Sequence, residues 1–110
     1  MRREFNQSRI DKNQPEIVKA FRKLGWYVKP VHDVKQMCDI LVCKAGRVIA
    51  IEIKDGSKPP SKRKLSEGED AFREAWLNAG GEWLLIESVE DVLKIAPVSH
   101  HTSGGRRSPE

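Results

Sequence analysis

Asp39, Glu52 and Lys54 are the residues of this chain whose types and spacing could do chemistry together. They punctuate the stretch MCDILVCKAGRVIAIEIK, from Met37 to Lys54. Two carboxylates brought face to face repel, and a protein that keeps such a pair commonly supplies a cation or a shared proton. A hard divalent ion such as Mg2+ accepts one or two carboxylates and keeps several of its waters. An ammonium group beside them could hold a phosphate or orient an attacking water. The plainer reading is three charges on the wet face of a hairpin. Against it, Glu52 and Lys54 interrupt a run otherwise apolar enough to be central.

The site exists only if a hairpin assembles it. Ile40 to Val42 and Val48 to Ile53 are apolar and β-branched enough for strands, and Ala45-Gly46 is the natural turn between them. A two-residue turn there pairs Lys44 with Arg47, so Ile40 faces Ile51 and Val42 faces Ile49 on one apolar side. On the other side Asp39 falls opposite Glu52, with Lys54 pointing the same way. A loop one residue longer would send Asp39 and Glu52 to opposite faces and dissolve the site.

Asp39 followed by Glu52-Ile53-Lys54 resembles the PD-(D/E)XK nuclease signature, with Cys38 where the motif's proline usually stands. With IEIKDGSKPPSKRKLS following, the chain is similar over residues 11 to 96 to the VRR-NUC branch, especially its small stand-alone phage and prophage versions. The resemblance implies an α/β fold with an αβββαβ core, a single mixed β-sheet flanked by helices. It implies a DNA endonuclease that uses Mg2+ or Mn2+ to hydrolyse phosphodiester bonds. Asp39 and Glu52 would hold the metal with the backbone carbonyl of Ile53, and Lys54 would position the water or steady the transition state. In the family a glutamate on the first helix lies near the metal, which offers Glu16 as an accessory ligand. Small relatives act as homodimers on branched DNA, so Holliday junctions are the expected substrate class. The alternative is a non-catalytic nucleic-acid-binding or assembly module that keeps the nuclease fold.

Around the hairpin the chain reads as one domain, 13–97, between a flexible basic arm over 1–12 and a disordered tail over 98–110. Asn13-Gln14-Pro15-Glu16 opens a first helix with Ile17, Ala20, Phe21 and Leu24 inward and Gly25 as its stop. A carboxylate near the positive end of the helix dipole also explains Glu16 without any metal, and both readings stay open. Trp26 to Val31 is the expected first strand. His32 on the loop that follows stays off the catalytic list, while Lys35 is a candidate DNA-backbone contact. Ser66 to Glu69 is a capping box for a helix burying Phe72, Ala75, Trp76 and Ala79. Trp83 to Ile86 reads as a strand buried on both faces and parallel to its neighbour, and Ser88 caps a last short helix anchored by Val89, Val92 and Leu93.

Between hairpin and capping box, Lys58, Lys62, Arg63 and Lys64 crowd a loop stiffened by Pro59-Pro60. Basic side chains there can neutralise phosphates without reading sequence. An acidic pocket attracts a polyanion only if positive charge surrounds it, and the net charge of +4 agrees with a DNA partner. Cys38 and Cys43 sit at opposite parity around one strand, which argues against an internal disulfide and for a reduced cytoplasm, the host's if the chain is phage-encoded. No apolar run approaches a membrane span, so no membrane partner is expected.

Overall fold

The computed structural model describes residues 11 to 95. In chain order they form α1 (Gln14–Lys23), β1 (Tyr27–Pro30), β2 (Ile40–Lys44), β3 (Arg47–Ile53), a 3-10 turn (Pro60–Lys62), α2 (Glu67–Asn78), β4 (Glu82–Ile86) and α3 (Val89–Leu93). Among the described residues the fold is α/β: one open, mixed, four-stranded sheet in the order β1-β2-β3-β4 with three helices. β1, β2 and β3 form an antiparallel meander, and β4 joins β3 in parallel after the α2 crossover. The arm and tail expected at the two ends lie outside the described residues, apart from Asp11 and Lys12.

The hairpin takes the expected register. Ile40 pairs with Ile51, Val42 with Ile49 and Lys44 with Arg47. Ala45 and Gly46 both hold positive φ, 50° and 83°, as a tight two-residue turn matched to the strand twist requires. The apolar face of the meander then meets α1 and α3. Ile17 and Phe21 of α1, Val92 of α3, and Val28, Val42, Ile49 and Ile51 of the sheet make one core cluster. Burying an aliphatic or aromatic side chain of this kind stabilises by about 1.5–3 kcal/mol each, enough in sum to fix the sheet on which the polar face is mounted.

Several expectations are corrected. Asn13 stands at the N-cap of α1 but makes no capping bond with its side chain. Its amide instead donates to Lys54 O (3.1 Å) and Glu87 O (3.0 Å), tying the start of α1 to the ends of β3 and β4. Leu24 and Leu93, expected inward, are exposed, because each falls at or past the last turn of its helix. β4 is parallel to β3 as expected, yet only Ile86 is buried. It is an edge strand, and a short apolar run does not by itself distinguish edge from centre. The capping box of α2 forms as read, with Glu69 N donating to Ser66 Oγ (3.1 Å) and Ser66 N to Glu69 Oε1 (2.9 Å). None of the α2 side chains is buried, however: Phe72 and Trp76 are half-covered, while Ala75 and Ala79 are exposed.

Candidate metal and phosphate site

The backbone grips Asp39 from two sides. Its N–H donates to Ile51 O (3.0 Å), and its carbonyl accepts from Val31 N (2.8 Å), so it sits between the ends of β1 and β3 just ahead of β2. Ile53 N donates to Asp39 Oδ2 at 2.7 Å. A strand residue turns its N–H and C=O towards the same neighbour, so the Ile53 carbonyl stands on the Asp39 side too. Glu52, one residue earlier, projects to the sheet face opposite Ile51 and Ile53 and is only 2% exposed.

The Asp39 and Glu52 carboxyls are hydrogen-bonded to each other. Burial is the main cause that raises Glu52, to about 9, with the charges of Asp39 and Glu69 adding to it and Lys54 opposing. Burial likewise raises Asp39, against the pull of the Ile53 N–H. Both carboxyls are thus shifted towards their protonated forms, Glu52 the further, and the pair titrates as a unit. Cys38 is buried beside them, its thiol pushed up to about 12 by burial and by the charges of Glu52 and Asp39. It is no nucleophile in this state.

Lys54 Nζ lies 3.5 Å from Glu52 Oε2 and 3.4 Å from Glu69 Oε1. Burial works against its charge, but Glu52 and Glu69 outweigh it and hold the ammonium above its ordinary value. Glu69 thus does two jobs: it closes the capping box and anchors Lys54. The sequence reading gave it only the first. Glu69 and Asp39 line one open cavity of about 430 Å³ with His32, Lys35 and Gln36. The loop forming its wall has Gln36 at φ 57°, packed so tightly on Gly68 that a Cβ there would lie 2.5 Å from the Gln36 side chain.

The structure brings Asp39, Glu52, Lys54 and the Ile53 backbone together, and Lys35 stands on the same cavity, exposed. Glu16 is not with them: it lies exposed on α1 and lines a separate cleft with Asp55, Ser57 and Glu87. Among the basic-loop residues, Lys58, Lys62 and Lys64 are exposed. Arg63 is already engaged, donating from Nη1 to Glu87 Oε2 (2.9 Å) and from Nε to Lys58 O (2.7 Å). Its part is to fold the loop back onto the end of β4.

Asp11 went unnoticed in the sequence because it sits in a stretch read as a basic arm. Its pKa is raised by burial, although Lys54 and Lys58 pull the other way, and its charge acts on Asp39. No simple local pattern would have flagged it.

Among the described residues, no group of three or more His, Cys, Asp and Glu side chains is gathered as a metal site. Asp39 and Glu52, with the Ile53 carbonyl on the same side, offer oxygen donors of the kind that suit a hard ion keeping most of its waters, while the neighbouring Cys38 thiol is held protonated. On that ground the residues present fit Mg2+ or Mn2+. Compared with models of protein families, with curated proteins and with solved structures, the chain gives no match.

Proposed function

We propose that this protein is a metal-dependent endonuclease that hydrolyses DNA phosphodiester bonds on an αβββαβ nuclease core of the PD-(D/E)XK, VRR-NUC-like type. The observation that carries the reading is the hydrogen-bonded pair of Asp39 and Glu52 with Lys54 Nζ 3.5 Å from Glu52. A buried glutamic acid that must share its proton with an aspartate is a costly arrangement unless it gains a ligand. Asp39 and Glu52, with the Ile53 carbonyl, would hold Mg2+ or Mn2+. When bound, the ion lowers the pKa of water and neutralises charge that builds on the phosphate. For that, Glu52 must release its proton, and Lys54 favours this by stabilising the carboxylate form. The Lys54 ammonium, kept charged by Glu52 and Glu69, then offers a donor to the phosphate or to the attacking water. Lys35, Lys58, Lys62 and Lys64 are exposed cations suited to the flanking phosphates.

The favoured substrate is branched DNA, Holliday junctions above all, cut by a homodimer whose two sites are related by a two-fold axis. A second reading, a nucleic-acid-binding module without catalysis, draws on one observation: the acidic pair already satisfies itself through the shared proton, with no third ligand gathered among the described residues. Incubating the protein with junction, flap and linear duplex DNA, with and without Mg2+, separates the two. Metal-dependent cutting with preference for the junction supports the nuclease. Binding to DNA with no cutting in either Mg2+ or Mn2+ supports the module.

A further inference from the structure

The cavity at Asp39 is larger than an ion needs. Its volume is about 430 Å³, within the range of about 300–1,000 Å³ that takes a small organic molecule. Even a full octahedral shell of waters around a divalent ion, at about 30 Å³ per water, fills only roughly 180 Å³. More than half of the space stays open to something else. The walls are also preformed. The loop from β1 to β2 is closed at its base by Val31 N donating to Asp39 O (2.8 Å) and turned by Val34 N donating to Val31 O (2.9 Å). Further along, Gln36 in its positive-φ conformation seats on Gly68 in the first turn of α2, where no side chain intervenes.

The lining says what kind of group enters. His32 is half-buried, its side chain 22% exposed, and both ring nitrogens are engaged: Nδ1 with Gln14 Nε2 at 3.5 Å and Nε2 with Asp33 Oδ1 at 3.6 Å. With its edges so held, His32 offers the cavity a flat ring and not a free donor or base. Met37, half-buried, and Val34, 53% exposed, line the same cavity. A thioether and a branched aliphatic group are good contacts for an aromatic ring. The charged groups of the lining are Asp39, Glu69 and the exposed Lys35. Two carboxylates against one ammonium make a poor cradle for a phosphate, whereas a neutral ring meets no such repulsion. A nucleobase is a neutral ring tethered to a phosphate, and bases freed from pairing stack on aromatic side chains, histidine included. A base within a duplex must first leave its stack, which costs least when it is already unpaired.

We propose that this cavity is a subsite for one unpaired nucleobase of the DNA strand held at the acidic pair, stacked on the His32 ring and packed against Met37, with Lys35 on an adjoining phosphate. The inference rests on the nuclease reading given above and narrows its substrate: among branched DNAs it favours those that carry an unpaired nucleotide at the branch.

The test uses the full chain in EDTA with forked DNA whose single-stranded arm carries 2-aminopurine at successive positions from the branch. Anisotropy of a labelled strand reads affinity, and 2-aminopurine emission reads the surroundings of that base. The expected result is that one position changes its emission on binding, and that an abasic site there weakens binding by about tenfold. His32→Ala combined with Met37→Ala brings the intact and abasic forks to within about twofold of each other, with affinity for fully paired duplex unchanged. His32→Phe, which keeps a flat ring without ring nitrogens, retains the preference. A wild type that binds intact and abasic forks alike at every position overturns the subsite, as does a double variant that keeps the full preference. Neither readout needs a metal, so the nuclease reading is judged apart. Forks cut in Mg2+ with no effect of the abasic site overturn the subsite alone. No cutting, with the base preference intact in EDTA, removes the nuclease and leaves the cavity as a binding subsite. Should melting curves show that the double variant fails to fold, the wild-type comparison of intact and abasic forks decides the matter.

Discussion

The two ends of strand β3 treat a glutamate in opposite ways. At the hairpin end, Arg47 reaches across to Glu82 on β4, with Nε–Oε1 and Nη2–Oε2 both at 2.9 Å, and the Arg47 hydrogen bond holds the Glu82 carboxyl below its usual range. At the other end Glu52 is buried against a second carboxylate and pushed far above that range. The first glutamate is half-exposed and fully matched; the second is hidden and mismatched in the free protein. A sheet that can supply a well-placed arginine at one end has no structural need for a strained pair at the other. The contrast is what singles out Glu52 and Asp39 as the candidate site of the proposed function.

The largest effect expected from breaking this contrast is on catalysis. Glu52→Gln removes the carboxylate while keeping its shape, and cleavage should fall by at least ~10³-fold, the upper range for losing one preorganised transition-state contact. DNA affinity should hold or improve, since a negative charge facing phosphate is lost. Gel-shift and single-turnover assays on junction DNA read both; binding lost in parallel with cleavage would assign Glu52 to folding instead.

Next in size is Lys54→Ala. Lys54 lies between Glu52 and Glu69, so on the proposed mechanism turnover should drop by ~10²-fold or more with Mn2+ affinity little changed. Titration calorimetry showing that metal binding collapses would make Lys54 a support for the acidic pair and not a participant.

These two predictions use residues that were legible in the sequence, and the reason is local. A two-residue turn fixes strand parity, and parity alone puts Asp39 and Glu52 on one face. What was not legible depends on long-range contacts. Arg63 looked like a phosphate contact within a run of cations, but its partner Glu87 is far along the chain. Asn13 looked like a cap, yet the carbonyls it satisfies belong to the ends of two strands. Glu69 was read as a cap because local geometry demands one, and its second contact, with Lys54, needs the crossover to bring α2 over β3. The half-covered side chains of α2 and the edge position of β4 likewise follow from sheet order, which an apolar run does not encode.

A moderate effect should come from the basic loop. Replacing Lys62 and Lys64 by alanine should lower the log–log salt slope of DNA binding by roughly two counterions, weakening junction and duplex alike. Arg63 is excluded because its guanidinium is engaged by Glu87 and Lys58 O. An unchanged slope in salt-dependent binding curves would put the DNA path elsewhere on the molecule.

The smallest effect belongs to the satisfied end of β3. Glu82→Ala breaks a half-exposed ion pair and should cost under about 1 kcal/mol, lowering the melting temperature slightly and leaving cleavage intact. Glu52→Gln should do the reverse, raising the metal-free melting temperature while abolishing activity. Melting curves of the two variants together sharpen the comparison, and the same sign of change in both would erase it.

The most direct measurement is the metal-free melting temperature between pH 5 and pH 9, repeated with saturating Mg2+ and in Glu52→Gln. Glu52 is raised from 4.5 to about 9 by folding, so the folded state binds its proton more tightly than the unfolded chain does. The stabilisation is complete below the unfolded value and is lost as pH climbs towards the folded one. Asp39 and Asp11, also raised, act in the same direction, while the lowered carboxyl of Glu82 titrates below this window. The account predicts a wild type that loses stability steadily from pH 5 to pH 9, a Mg2+-bound protein in which that loss is largely cancelled, and a Glu52→Gln variant with a much flatter profile and no response to Mg2+. A metal-free wild type whose stability is level or rises over that range, or a Mg2+ response that survives in Glu52→Gln, would contradict it.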